Sequence, residues 1–165
     1  MNRCASPIGE DGVGRGRICT PVVALIDTNI LVYRFDPRDE RKQRIATGLL
    51  RNGILNGEYR LAHQALLEFY SAVTRYISGY GQLLAPESAR LETEELMAEF
   101  TVLYPDDRVL RTALQGHDEY PMSWFDAHMW AYAEVFRIPE IISEDFNHGQ
   151  QYGSVRVTNP FREPR

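Results

Sequence analysis

Residues 22–26 read VVALI, an unbroken apolar run rich in β-branched side chains. Such a run, without polar alternation, predicts a strand buried on both faces. It stops at Asp27, and apolar residues resume after Thr28 and Asn29 in TNILVY, a short helical turn. A period near 3.6 then takes over. Residues 38–54, RDERKQRIATGLLRNGI, place Ile45, Leu49 and Leu50 on one helical face, with Gly53 near the end. After the short strand EYRLA, residues 63–77 align Leu66, Phe69, Val73, Tyr76 and Ile77 as one apolar stripe. Pro86 opens another helix through Phe100, TVLY reads as a strand, and residues 106–117 form a helix with acids in its first turn and Gly116 near its end. SWFDAHMWAYAEVF is a helix capped by Ser123 and closed before Pro139, and the strands EIIS and SVRVT follow. Strands separated by helices imply crossover connections. The expected fold is therefore α/β: one domain over residues 21–165 with a mostly parallel central sheet sandwiched between helices.

Composition narrows this picture. The chain has 165 residues, enough for one domain with a sizeable core. No stretch offers the ~18 consecutive apolar residues of a membrane span, and the N-terminus lacks the apolar run of a signal peptide. Cys4 and Cys19 match no metal or redox spacing, so they read as reduced thiols of a cytoplasmic protein. Residues 1–20 hold four glycines and no periodicity, and are expected to be a disordered extension. The formal net charge of −5 counts against a general nucleic-acid binder, unless cations neutralise some of the carboxylates.

Four acids sit where the stripes do not explain them. Asp27 ends the first strand, where it either caps the next helical turn or serves a ligand at the carboxyl edge of the sheet. Glu68 has Ala65 and Ala72 as its helical neighbours, so it is either an ordinary surface acid or one that a partner can approach closely. Asp126 lies three residues after Ser123, a capping-box spacing, yet Trp124, Phe125, Ala127, Met129 and Trp130 surround it. Asp145 ends EIIS as Asp27 ends VVALI, and the adjacent Glu144 is the alternative there. In a parallel sheet, Asp27, Asp126 and Asp145 would share one edge. Converging carboxylates repel unless they are protonated or bound to cations. Mg²⁺ or Mn²⁺, hard ions that prefer oxygen ligands, are the natural neutralisers, and a pair of them suits phosphodiester hydrolysis. Two such ions would bring the formal charge to about −1, which weakens the objection to an RNA substrate.

With these residues in view, the chain resembles a PIN domain, and specifically the VapC toxins of type II toxin–antitoxin modules. ALIDTNILVY resembles the opening motif with Asp27, HQALLEFYSAVTR the helix with Glu68, SWFDAHMWAYA the segment with Asp126, and ISEDFNHGQQYGSVRVTNPF the closing segment with Asp145. The likeness spans residues 22–161, and the glycine-rich extension lies outside it. It implies a Mg²⁺- or Mn²⁺-dependent endoribonuclease using one or two ions, a homodimer, and inhibition by a VapB-like antitoxin. Asp27, Glu68, Asp126 and Asp145 would hold metal, and Thr28 and Asn29 would steady Asp27 or a metal-bound water. His148 is expected to be a turn residue.

Other features fit less sharply. Arg34, Arg38, Arg41, Lys42 and Arg44 would guide phosphates or form a solvated face, since Asp36, Asp39 and Glu40 interleave with them. Phe35, Trp124, Phe125 and Trp130 would stack bases or, more simply, fill the core, with some of them lining a groove for an antitoxin segment. Two other classes stay open: a PIN-fold module that binds RNA or protein without cleaving, and a PIN ribonuclease of RNA processing. A haloacid-dehalogenase phosphohydrolase fits poorly, because the position two after its aspartate is Asn29 and the chain's only lysine is Lys42.

Overall fold

The computed structural model describes residues 23–162. The expectations for residues 1–20, with Cys4 and Cys19, lie outside them. The first strand, β1 (Ala24–Ile26), is buried at every position, as its apolar run requires. It pairs in parallel with β2 (Tyr59–Ala62) on one side and β4 (Glu140–Ile142) on the other. The six-stranded order is β3-β2-β1-β4-β6-β5, with β3 at Thr101–Leu103, β5 at Gln151–Tyr152 and β6 at Val155–Thr158. All pairings are parallel except β5 with β6. The chain moves outward from β1 through β2 to β3, then crosses back to lay β4 on the other side of β1. Strand order therefore reverses between β1 and β4, the place where open parallel sheets collect ligands.

Six helices complete the fold: α1 (Thr28–Tyr33), α2 (Glu40–Asn56), α3 (His63–Thr74), α4 (Pro86–Glu99), α5 (Asp107–Glu119) and α6 (Trp124–Val135). Helices α1 to α4 pack on one another in chain order or through α3, while α5 packs on α6, which meets β4 and β6. The expected α/β architecture is present. None of the described helices is long and apolar enough to cross a membrane.

Some boundaries differ from the sequence pattern. Helix α2 runs past Gly53 to Asn56 and is ended by Gly57, whose φ of 66° suits a residue without a side chain. Gly53 instead makes room for a neighbour, since a Cβ there would collide with the Tyr59 ring. Gly116 likewise lies inside α5, where it lets Trp130 pack closely. Helix α3 stops at Thr74, so Tyr76 leaves the apolar stripe and is exposed. The hairpin strand β5 has no counterpart in the predicted pattern. At two residues it is too short to show a period.

Candidate active site

At the carboxyl edge of the sheet, a cleft of about 490 Å³ is lined by Asp27, Glu68, Asp126 and Asp145, together with Thr28, Asn29, Tyr33, Gln64 and Phe125. All four predicted acids thus reach one cavity, although the chain separates them widely. The cleft lies where strand order reverses.

Asp27 is both a cap and a cleft residue, so the two readings of this position are compatible. Its extended backbone makes it the N-cap of α1, and its Oδ1 accepts from the Thr28 N–H at 2.7 Å. Its Oδ2 accepts from Ser143 Oγ at 2.5 Å and from Asn29 Nδ2 at 3.0 Å. Asp27 is only 6% exposed. Burial pushes its pKa up from 3.8 to about 7; the Ser143 and Thr28 bonds oppose this, while the charges of Asp145 and Glu68 add to it.

Asn29 joins the two strand-end acids. Its Nδ2 lies 3.0 Å from Asp27 Oδ2, 3.0 Å from Asp145 Oδ2 and 3.1 Å from Ser143 Oγ. Three acceptors around one nitrogen fix the orientation of the amide, because a flipped oxygen would face two carboxylates. Asn29 Oδ1 is left buried with no hydrogen-bond partner among the described residues. Ser143, at the end of β4, also accepts from the Asp145 N–H at 3.1 Å and so fixes the start of that loop.

Glu68 approaches from α3. Its Oε2 accepts from Thr28 Oγ1 at 2.9 Å and its Oε1 from Gln64 Nε2 at 2.7 Å. Gln64 is itself buried and also donates to the Phe125 carbonyl at 3.1 Å, tying α3 to the first turn of α6. Its Oε1 faces His128 Nδ1, so that nitrogen carries the proton. Burial, partly offset by Glu68, holds the His128 imidazole below its usual range.

Asp126 lines the cleft but keeps its capping role as well. Ser123 and Asp126 form a full capping box, with Asp126 N–H on Ser123 Oγ at 3.1 Å and Ser123 N–H on Asp126 Oδ2 at 3.3 Å. Glu144, the alternative to Asp145, is engaged elsewhere. It accepts from Lys42 Nζ and the Tyr33 hydroxyl, while the ammonium also lies over the Tyr33 and Phe161 rings.

Several residues absent from the predicted site help to build it: Ser143, Gln64, His128 and Tyr33, while Lys42 holds Glu144 away from it. Ser143 was readable only as the last residue of a strand, and Gln64 only as a polar position in a helix. The basic cluster is largely paired: Arg34 with Glu92, Arg38 with Asp36, Lys42 with Glu144 and Arg44 with Glu40. His148 accepts from the Asn159 N–H and braces a turn. Trp130 is buried with its indole N–H on the Tyr152 carbonyl, and Phe35 packs on Phe69, whereas Trp124 and Phe125 are exposed.

The residues present suit a hard divalent cation in chemistry. They supply carboxylate oxygens, a buried acid whose charge is unfavourable without a counter-ion, and an unpartnered amide oxygen. Among the described residues, however, no three acids or histidines stand close enough as placed to share one ion.

The PIN domain family profile matches residues 24–152, and the chain belongs to the PIN-domain family. No curated protein matches it. Solved structures share the fold at low identity. A toxin–antitoxin complex from Klebsiella pneumoniae is 20% identical, with 83% of this chain and 97% of that chain covered and a TM-score of 0.58. A DNA-bound VapBC from Salmonella typhimurium is 16% identical, with 84% and 98% covered and a TM-score of 0.62. VapC20 of Mycobacterium tuberculosis, described as a toxin cleaving the sarcin–ricin loop, is 15% identical, with 74% and 89% covered and a TM-score of 0.55.

Proposed function

We propose that the protein is a metal-dependent endoribonuclease acting as the toxin of a VapBC-like type II toxin–antitoxin module in the cytoplasm. The observation that carries this reading is the meeting of four carboxylates in one cleft, with Asp27 driven to a pKa of about 7 by burial and by its acidic neighbours. A site so unfavourable to negative charge gains from a cation and has little use without one. The toxin–antitoxin complexes among its structural neighbours favour an antitoxin partner, and the DNA bound to one of them favours a complex that binds DNA; the homodimer rests on the family resemblance alone.

Asp27, Asp145, Glu68 and Asp126 would hold one or two Mg²⁺ or Mn²⁺ ions, which supply Lewis acidity and lower the pKa of a bound water. The chain's own residues do the positioning. Asn29 holds Asp27 and Asp145 together, and Thr28 and Gln64 aim Glu68. Asp126, whose Oδ2 accepts from the Ser123 N–H, would have to turn its carboxylate toward the cleft to contribute. Arg38 also lines the cleft and, though paired with Asp36, offers a guanidinium to a phosphate.

One observation favours a second reading, a PIN-fold binding module without cleavage: no three acids are placed to share an ion among the described residues. A non-toxin PIN ribonuclease keeps the chemistry and loses the partner. The separating experiment incubates the antitoxin-free protein with mixed RNAs in Mg²⁺, Mn²⁺ or EDTA, beside Asp27→Asn and Asp126→Asn. Metal-dependent cutting that both substitutions abolish is expected. Cutting that survives EDTA and both substitutions overturns the mechanism; partner binding without cutting supports the module. A short upstream reading frame encoding a DNA-binding N-terminus separates toxin from processing enzyme.

A further inference from the structure

The cleft does not end at its acids. From Glu68 it continues one turn along α3 to Ala72, a rise of about 6 Å, and meets Asp36 and Arg38 beyond the C-terminal end of α1. Among the described residues lining the cleft, Arg38 is the only cation. Asp36 lies behind it and is 4% exposed. Its carboxylate accepts from the Arg38 N–H at 3.0 Å, from Nε at 2.7 Å and from Nη2 at 2.5 Å. Both oxygens are spent on this fork, which fixes the plane of the guanidinium. Nη1 makes no hydrogen bond among the described residues, and the side chain is 39% exposed, so the end of the guanidinium is open to a ligand.

Tyr80 stands beside this guanidinium. Gly79 and Gly81 take left-handed backbone, with φ of 83° and 81°, and the Ile77–Gly81 bridge closes the turn between them. The Leu84 N–H on the Val73 carbonyl then ties the loop to the end of α3, next to Ala72. The turn carries Tyr80 outward, 65% exposed, with the Arg38 guanidinium carbon 5.8 Å from its ring centroid. One face of the ring meets the cation, and the other is free for stacking.

We propose that Arg38 and Tyr80 form a subsite for a nucleotide flanking the scissile phosphate, with its own phosphate on the open end of Arg38 and its unpaired base on the free face of Tyr80. This deepens the nuclease reading and rests on it for the scissile phosphate among the acids. A chain of net charge −5 repels a polyanion, so a flanking phosphate needs a cation where the acids stop, and Arg38 is placed there. Aromatic rings stack on any base. The subsite therefore sets affinity and register along the RNA rather than sequence.

The test titrates the full chain, with Ca²⁺ in place of Mg²⁺, into a fluorescently labelled RNA octamer of mixed sequence, reading anisotropy from about 50 to about 200 mM salt. Arg38→Gln should weaken binding about tenfold at low salt, the worth of one charged hydrogen bond. It should also make the plot of log affinity against log salt shallower by up to about 0.7, one phosphate contact on a single strand. Arg38→Lys keeps the charge and should keep the wild-type slope, which tests the same point should Arg38→Gln fail to fold. Tyr80→Ala should weaken binding about tenfold with the slope unchanged, and Tyr80→Phe should bind as the wild type does. In Mn²⁺, Arg38→Gln and Tyr80→Ala should raise KM more than they lower kcat. A wild-type slope in Arg38→Gln, a lost slope in Arg38→Lys, or wild-type affinity in Tyr80→Ala overturns the proposal. If RNA is cut and neither variant changes affinity or KM, the nuclease reading stands and the subsite falls. If the variants weaken binding as expected but nothing is cut in Mn²⁺, the subsite stands and the nuclease reading falls.

Discussion

Asp27 and Asp145 sit at the ends of adjacent parallel strands, whereas Glu68 and Asp126 ride on helices, and the two walls of the cleft are built differently. The strand wall is preassembled. Asn29, Ser143 and the Thr28 N–H converge on Asp27, and Asn29 reaches Asp145 in the same step. The helix wall is held at longer range. Gln64 spans from α3 to α6, and the Asp126 carboxylate accepts from its own helix cap. A strand end beside a neighbouring strand has a fixed register, so a short side chain suffices to fix an acid there. A helix face needs a strut.

The largest effect expected is from Asp27→Asn, which removes the charge at the centre of the strand wall. Cleavage should fall by about a thousandfold, since the electrostatic stabilisation involved is several kcal/mol. The metal-free protein should nevertheless melt several degrees higher at pH 8. Initial rates and melting curves on one preparation check both. A Tm that drops would show that the Asp27 hydrogen bonds outweigh its burial. Next comes the pH dependence of the wild type. Asp27 is expected to have a pKa of 3.8 when unfolded and about 7 when folded. Between those values the folded state binds the extra proton, so the contribution of Asp27 to metal-free stability is fully present below pH 4 and is lost as pH rises through 7. The contribution has an upper bound of about 4 kcal/mol. Mn²⁺ should therefore raise Tm more at pH 8 than at pH 5, and Asp27→Asn should flatten the metal-free slope. A wild-type slope of the opposite sign across pH 4–7 that survives in Asp27→Asn would exclude this residue as its source.

The strand wall was more legible in the sequence than the helix wall, for a physical reason. A buried apolar run that stops at an acid is a local signal, and VVALI followed by Asp27 carries it in six residues. EIIS followed by Glu144 and Asp145 carries it again, but leaves open which acid faces the site. That choice depends on Lys42 and Tyr33, each more than 100 positions away. Gln64 was invisible because its partners, Phe125 and His128, lie more than 60 positions on. The parallel sheet followed from strand–helix alternation, whereas β5 and the early end of α3 depend on turn contacts such as the Ile77–Gly81 bridge.

Gln64→Ala tests whether the strut matters as much as the comparison implies. It removes the bonds to Glu68 and Phe125 and leaves His128 Nδ1 without its acceptor. Partners that orient metal ligands are typically worth 10–100-fold in affinity, so Mn²⁺ binding by calorimetry should weaken by about that factor. Gln64→Glu should not rescue it, since a carboxylate cannot donate to Glu68. Unchanged Mn²⁺ affinity in Gln64→Ala would mean that Thr28 alone aims Glu68.

The smallest effect is expected at Ser123, and it separates the two roles of Asp126. Ser123→Ala deletes the Oγ that accepts from the Asp126 N–H, but the backbone N–H on Asp126 Oδ2 remains. Losing an N-cap hydroxyl costs about 1 kcal/mol, so Tm should drop by about 2–4 °C for a domain of this size. If Asp126 must leave its cap to meet a cation, loosening the box makes that departure easier. Mn²⁺ affinity should then hold steady or rise up to about threefold, since the lost capping bond contributes no more than its own stability. A fall of tenfold would mean that the capped conformation is itself the ligating one. In that case the helix wall is as preassembled as the strand wall, and the contrast between them disappears.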